Sequence, residues 1–313
     1  MSLIVTGTVG IDSVYTPWGK AEKVLGGSCT YFAAAASFYG PVRLVAAVGG
    51  DFGKSHRQVF KKFKGIDDSG LEFRPASKTF AWGGEYSADM NSRKTLFTEL
   101  GVLAEAPPKV PEHFADSRYV FLANSHPAVQ LDLLSQLPER RLAVADTMDL
   151  WINTARPELE KLLKAIDGLV LNYDEAELFT GTKNPVTAAR KILKDFGGKK
   201  KGLQFVVVKK GEHGALIVHR DAIAALPAYP AEKVIDPTGA GDTFAGGMMG
   251  YLAATGSKKD AGGVKFERLQ TAIAHGTVVA SFNIESFTLS RLLKLKSSEL
   301  AKRYKEFARI VRV

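Results

Sequence analysis

Val234-Ile235-Asp236-Pro237-Thr238-Gly239-Ala240-Gly241-Asp242-Thr243-Phe244 sets two carboxylates around a glycine-rich turn, and a small-residue, apolar stretch suited to a helix continues to Ala254. Glycines at 239 and 241 let backbone N–H groups converge with no Cβ between them. The first turn of a helix leaves its own N–H groups unpaired, and its dipole favours negative charge. Such a turn is a seat for a phosphoryl group. Asp242 stands at its mouth, where a carboxylate can accept the proton of an attacking hydroxyl. The Gly239-Ala240-Gly241 backbone and the helix start can stabilise charge on the group being transferred. The plainer reading makes Asp236 and Asp242 turn and cap residues of an ordinary strand-to-helix connection. Against it, a plain turn needs one Gly and one cap, whereas this one crowds two of each kind between 236 and 242.

Outward from that turn, strand-length apolar runs alternate with helix-length segments, the pattern of a parallel sheet with helices on both faces. Tyr119-Val120-Phe121-Leu122-Ala123 stops at Asn124, Leu142-Ala143-Val144-Ala145 at Asp146, Leu169-Val170-Leu171 at Asn172 and Phe205-Val206-Val207-Val208 at Lys209. Open α/β sheets bind ligands along the carboxyl edge of their strands, so these side chains are candidates to line one cleft. Polar residues also simply begin loops. Near the N-terminus, Leu3-Ile4-Val5 leads through Gly7 to Asp12, and Gly26-Gly27-Ser28 opens an alanine-rich helix expected over 31–38, with Ser28 available as its cap. The paired glycines either admit a ligand to backbone N–H groups or make a tight turn. Between Phe73 and Leu100, polar and aromatic residues alternate on either side of Asp89-Met90-Asn91, which reads as a β-hairpin. It interrupts the α/β alternation as a candidate lid or as an edge sheet.

At 313 residues with 45% hydrophobic content, the chain can bury a large core. The uncharged stretch 25–41 is broken by Gly, Ser, Thr and Tyr and falls short of the roughly 20 apolar residues of a spanning helix. The first residues have no basic flank with a long apolar run behind it, so a first strand is expected rather than a secretion signal, and the cytoplasm is the expected compartment. The lone Cys29 rules out an internal disulfide and a cysteine metal cluster. A net charge of +9 raises the question of nucleic acid. The basic residues are scattered through 61–64, 199–201, 258–259 and 291–312 with no recognition motif, so solvated faces are expected and no nucleic-acid or membrane partner. No G-x-x-x-x-G-K-[ST] and no G-x-G-x-x-G after the first strand argue against P-loop and dinucleotide folds.

Asp236 to Asp242 resembles the D-T-x-G-A-G-D motif of the ribokinase/PfkB family of sugar and nucleoside kinases, with Pro237 where many members have Thr. Gly7 to Asp12 is similar to the family's G-x-x-x-x-D, Gly26-Gly27 to its substrate-side glycine pair, and Ala47 to Gly53 to its V-G-x-D-x-x-G turn. The resemblance runs from about Leu3 to Phe287. It implies one ribokinase-like domain over 1–313: a doubly wound, mostly parallel sheet with helices on both faces and a small β lid, inserted at about 13–25 and 73–100. It further implies ATP-dependent transfer of the γ-phosphate to a hydroxymethyl group of a small sugar, with Asp242 as base. Asp12, Gly26, Gly27, Asn124 and Asp146 are expected at the substrate. Asn172, Lys209, Gly211, Gly214 and His275 are expected at the nucleotide, and Glu175 with Asp236 at Mg²⁺.

Several positions depart from the family. Tyr31 stands where ribokinase-like members carry an Asn on the sugar hydroxyls, so pentose specificity does not carry over. Tyr31, Trp82, Tyr86 and Phe97 suit a sugar face or a nucleobase, leaving an adenosine-type nucleoside kinase as the alternative. Lys209 replaces the Thr of the T-x-G-x-x-G turn. Asn283 to Phe287 lacks the small pair of the monovalent-cation loop, so dependence on K⁺ does not carry over either. A non-catalytic sugar or nucleotide sensor is the other class, disfavoured by the retained Asp242. The lid also makes a homodimer possible.

Overall fold

Runs of Val, Ile, Leu and Ala without turn residues become strands buried on both faces. In the computed structural model, residues 1–198, 202–220, 222–257 and 263–312 are described; the lysine runs at 199–201 and 258–259 lie outside the described residues. The strands are β1 (Leu3–Thr6), β2 (Gly10–Thr16), β3 (Gly19–Gly26), β4 (Val42–Gly49), β5 (Ile66–Arg74), β6 (Phe80–Tyr86), β7 (Arg93–Glu99), β8 (Tyr119–Leu122), β9 (Leu142–Asp146), β10 (Gly168–Asn172), β11 (Phe205–Lys209), β12 (Ala215–His219) and β13 (Ile223–Leu226). The α-helices are α1 (Ser28–Ala36), α2 (Lys54–Lys62), α3 (Pro127–Ser135), α4 (Asp149–Thr154), α5 (Arg156–Ala165), α6 (Tyr173–Thr180), α7 (Pro185–Phe196), α8 (Ala240–Ala254), α9 (Phe266–Asn283), α10 (Ser290–Lys294) and α11 (Ser297–Ile310).

Nine strands form the main sheet in the order β13-β12-β11-β10-β9-β8-β1-β4-β5. Pairing is parallel from β11 to β5 and antiparallel for β11 with β12 and β12 with β13. Alternate residues feed opposite cores: Leu3 and Val5 join one buried cluster, Ile4 the other. Ligand-bearing side chains are thereby confined to the strand ends. Among the described residues, no helix is long and apolar enough to cross a membrane.

The glycines and alanines of α1, α8 and α9 let three helices pack almost backbone to backbone. A Cβ on Gly246 would lie 2.9 Å from the Ala35 Cβ and closer still to the Phe32 carbonyl, and one on Gly247 would lie 3.1 Å from the Cα of Gly276. Gly246 faces Phe32 and Ala35, and Gly250 faces Ala36 and Tyr39, so α1 and α8 run in the same direction. Both helices therefore start at one end.

A second sheet of four strands, β3-β2-β6-β7, carries the expected hairpin. Its strands occupy 10–26 and 80–99, while Phe73 belongs to β5 of the main sheet. The alanine-rich helix starts at Ser28, earlier than expected, because Gly27 is the residue that caps it: its carbonyl accepts the N–H groups of Thr30 and Tyr31. Ser28 is not the cap, since its Oγ is taken by Thr8 Oγ1 at 2.9 Å.

Gly246→Ala improves helix propensity by roughly 1 kcal/mol, yet its Cβ has no room. The variant should lose about 1–3 kcal/mol net, as overpacked sites do. A thermal melt at or above the parent's would show that α1 and α8 are not held this tightly.

Candidate active site

The turn before α8 is shaped by what its glycines leave out. Gly239 has φ 72° and ψ 5°, a left-handed conformation that glycine adopts without penalty, and a Cβ there would strike the Tyr31 ring. A Cβ on Gly241 would lie 2.6 Å from Lys209 Nζ, so an ammonium sits directly over the first turn of α8. Asp236 braces the turn from behind. Its Oδ1 accepts Thr238 N–H at 2.8 Å and its Oδ2 accepts Thr288 N–H at 2.9 Å. Thr238 Oγ1 meets the Tyr86 hydroxyl of β6 at 3.2 Å, which ties the turn to the second sheet.

Because β8, β9, β10 and β11 are parallel neighbours, Asn124, Asp146, Asn172 and Lys209 all emerge at one sheet edge. Asp146 is 5% exposed, and its Oδ1 has no hydrogen-bond partner. Burial pushes its titration well up, the Asp242 charge adds to this, and Lys209 opposes it. Asp242 itself is pushed up to about 6 by burial, against the pull of Lys209 and Arg93. Glu175 opens α6 in a reciprocal cap: its Oε2 accepts Asn172 N–H and its own N–H reaches Asn172 Oδ1, both at 2.7 Å. Asp12 arrives from β2. Its carboxylate occupies the space a Gly26 Cβ would need, and its Oδ2 accepts Gly27 N–H at 3.3 Å. Burial, then the charges of Asp242 and Asp236, push Asp12 up to about 7 despite that hydrogen bond. Its Oδ1 is buried without a partner.

This constellation has relatives. The sequence profile of the pfkB family carbohydrate kinases matches residues 19–293. The chain belongs to that family. It is 32% identical over 260 residues to a cytidine kinase of Thermococcus kodakarensis, covering 80% of this chain and 88% of the relative. Its fold is similar to the nucleoside kinase of Methanocaldococcus jannaschii (TM-score 0.75, 20% identity, 97% of this chain and 98% of that one). It is also similar to an aminoimidazole riboside kinase of Salmonella enterica solved with aminoimidazole riboside and an ATP analog (TM-score 0.75, 17% identity, 97% and 100%). The chain is thus a sugar or nucleoside kinase with the ribokinase fold.

Most residues expected at the kinase site converge there: Asp12, Gly26, Gly27, Asp146, Asn172, Glu175, Lys209 and the turn 239–242 share the end where α1 and α8 begin. Others are placed differently. Tyr31 is 1% exposed, with its ring beneath Gly239, so it floors the turn and offers no face to a ligand. Asp236 has no exposed surface and gives both oxygens to backbone N–H groups, so it shapes the turn and is not free for a metal. His275 is a correction of another kind. Its ring is stacked between Tyr251 at 4.3 Å and Tyr304 at 4.0 Å, its Nδ1 lies 3.3 Å from the Tyr39 hydroxyl, and burial lowers its titration to about 4. With both faces covered, it cannot pack on adenine. Asn124 is held by its own neighbours, accepting from Trp151 Nε1 at 2.9 Å. Gly214 is glycine because a Cβ would collide with the Leu226 carbonyl, whereas the space beside Gly211 is open.

On the second sheet, Trp82, expected at a sugar face or a nucleobase, lies in register with Asp12, whereas Arg93 escaped assignment from sequence. The Asp12–Trp82 pairing is parallel, so both side chains leave the same face, and the indole reaches over Gly84, where a Cβ would meet its ring. Arg93 begins β7, stacks 5.5 Å from the Trp82 ring and carries its charge toward Asp242 and Glu175. The available signal was the alternation itself, which puts 82, 84 and 86 on one face with Tyr86 fixed to Thr238.

Asp12 and Asp242 both titrate above an ordinary carboxylate near 4, so the folded kinase binds extra protons between about pH 4 and 7. Their contribution to stability is complete below that window and is lost as pH rises through it. The melting temperature of the unliganded parent minus that of Asp12→Asn/Asp242→Asn should therefore fall from pH 5 to pH 8. A difference that rises with pH contradicts the burial described.

Proposed function

We propose that this kinase transfers the γ-phosphoryl group of ATP to the hydroxymethyl group of a nucleoside. The observation that carries the acceptor class is the Asp12–Trp82 pair: a buried carboxylate with a free oxygen suits sugar hydroxyls, and an indole leaving the same face of the second sheet suits a base. The likeness over most of the chain to a cytidine kinase supports the same reading.

In the proposed reaction the hydroxymethyl oxygen lies between Asp242 and the γ-phosphorus. The new O–P bond forms as the bond to the bridging oxygen breaks, ADP leaves, and the hydroxyl proton passes to the Asp242 carboxylate. A base titrating near 6 is largely ionised at neutral pH. The N–H groups of Gly239 and Gly241, with Lys209 above them, stabilise charge on the phosphoryl oxygens, while the Ala240 N–H is held by the Pro237 carbonyl. Arg93 adds a cation from the second sheet, which acts as a lid excluding competing water. Glu175 and the unpartnered oxygen of Asp146 are hard donors of the type Mg²⁺ takes, and bound Mg²⁺ would neutralise phosphate charge. Glu285 of the 283–288 loop is occupied by the cations of Arg291 and Arg303 from α10 and α11, which supports activity without added monovalent cation.

ADP release measured across a panel of nucleosides and free sugars tests the reading. A nucleoside, cytidine first, should be turned over with the highest kcat/KM, and a free pentose or hexose exceeding every nucleoside would refute it. Trp82→Ala should raise the nucleoside KM about tenfold or more, the scale of a lost stacking contact. Asp242→Asn should lower kcat by about 10²–10⁴-fold with ATP binding retained. Tight nucleotide binding without turnover on any acceptor would point instead to a sensor.

A further inference from the structure

The anion turn is held by a second segment, and that segment is gripped by charges far from the chemistry. Residues 283–288, starting at the last residue of α9, pack on the irregular segment entering the turn. Asn283, fully buried, donates from Nδ2 to the Thr238 carbonyl at 2.8 Å; the Ile284 carbonyl accepts Ile235 N–H at 2.8 Å; Thr288 donates its N–H to Asp236. Thr288 does so at φ 56°, a left-handed conformation that a β-branched residue adopts only where its surroundings impose it.

The loop is gripped one residue from Ile284. Glu285 receives Arg291 Nε at 3.0 Å on one oxygen and Arg303 at 2.6 Å on the other. Arg291 comes from α10 and Arg303 from α11, and both guanidiniums lie over the Phe282 ring, 4.8 and 3.5 Å from its centroid. Arg303 also donates to Ser281 Oγ at 3.1 Å, and Arg291 to Glu299 at 2.9 Å. Three helices thus converge on a single carboxylate at the root of the loop. These pairs keep 18–29% of their side-chain surface exposed, so their worth as stability is small. Their geometry is fixed by two forks and a ring, and a turn that must present N–H groups to a transferring phosphoryl tolerates little displacement.

We infer that Glu285, Arg291 and Arg303 are positioning residues for phosphoryl transfer, a fixed-charge clamp that sets the 238–242 turn through the 283–288 loop. This rests on the kinase reading of that turn, and it assigns the C-terminal helices α10 and α11 a part in catalysis although neither contributes a group to the site.

The test uses the full chain and two readouts. Glu285→Gln keeps shape and removes the charge; Arg303→Lys keeps the charge and removes the fork. For Glu285→Gln, kcat should fall about 10- to 100-fold with both KM values within about threefold, and amide exchange at 238–242 should rise at least about tenfold. Amides of β9 and α1 should stay protected and the melting temperature should drop by only a few degrees. Arg303→Lys should lie between parent and Glu285→Gln in both readouts, and it carries the test if Glu285→Gln does not fold. Parent-like exchange at the turn overturns the clamp, as does protection lost evenly across the chain. A parent protein that phosphorylates no acceptor sinks the kinase reading alone, and the exchange comparison then still decides the clamp.

Discussion

Close contact between α1 and α8 is the constraint on which the rest of the site depends. Without side chains at 246 and 250, α8 lies against Phe32, Ala35 and Ala36, and the two helices begin side by side at one sheet edge. Gly27 and Gly239 then cap neighbouring helices, and the Tyr31 ring of α1 becomes the floor beneath Gly239 of α8. The start of α1 is closed by its neighbours, with Gly27 N–H on Asp12, Ser28 N–H on Thr8 Oγ1 and Cys29 N–H on the Thr8 carbonyl, so the free N–H groups facing this volume are those at the start of α8. Asp12 fits under Gly26, and Lys209 over Gly241, only because those positions have no Cβ. The chemistry of the site is thus set by absent side chains as much as by those present.

The electrostatics follow from that crowding. Asp12, Asp146, Glu175 and Asp242 share a low-dielectric pocket, and for each of them burial is the largest influence, raising the titration against the pull of Lys209 or of backbone N–H groups. Asp242, pushed up to about 6, and Asp12, pushed up to about 7, are both carried from the ordinary carboxylate range toward neutrality.

Residue types that act through the backbone were legible in the sequence. The glycine turn, the paired glycines and the strand ends at Asp146, Asn172 and Lys209 follow from local rules of period and turn chemistry, and the sheet order brings them together. Side-chain destinations were not. Tyr31 is one helical turn from Gly27, and nothing local shows whether its ring turns toward a ligand or under residue 239. His275 sits on a helix whose neighbours, Tyr251 and Tyr304, come from elements before and after it. Asp236 has the composition of a metal ligand and the hydrogen bonds of a turn brace. The Glu285 clamp joins α9, α10 and α11 through contacts that no spacing rule encodes.

Acceptor choice and phosphoryl chemistry are held by different parts of the fold. The turn 238–242 is braced by Asp236, by the 283–288 loop and by α1, all within the main body. Trp82 and Arg93 instead ride on the second sheet, whose β7 is exposed along its whole length. That sheet touches the turn through Tyr86 and Thr238, and its tip meets the 211–213 turn through Asn91 and Glu212 at 3.4 Å. Each such hydrogen bond has a net worth of about 1 kcal/mol. The sheet is also tied to the main body away from the turn, by Asp12 at the Gly27 N–H and by Trp18 beneath Lys233, so these two bonds are not all that hold it over the cleft. Substitution of Trp82 then bears on the acceptor side of the cleft, whereas Tyr86 and Arg93 of the same sheet also act on the turn and its base.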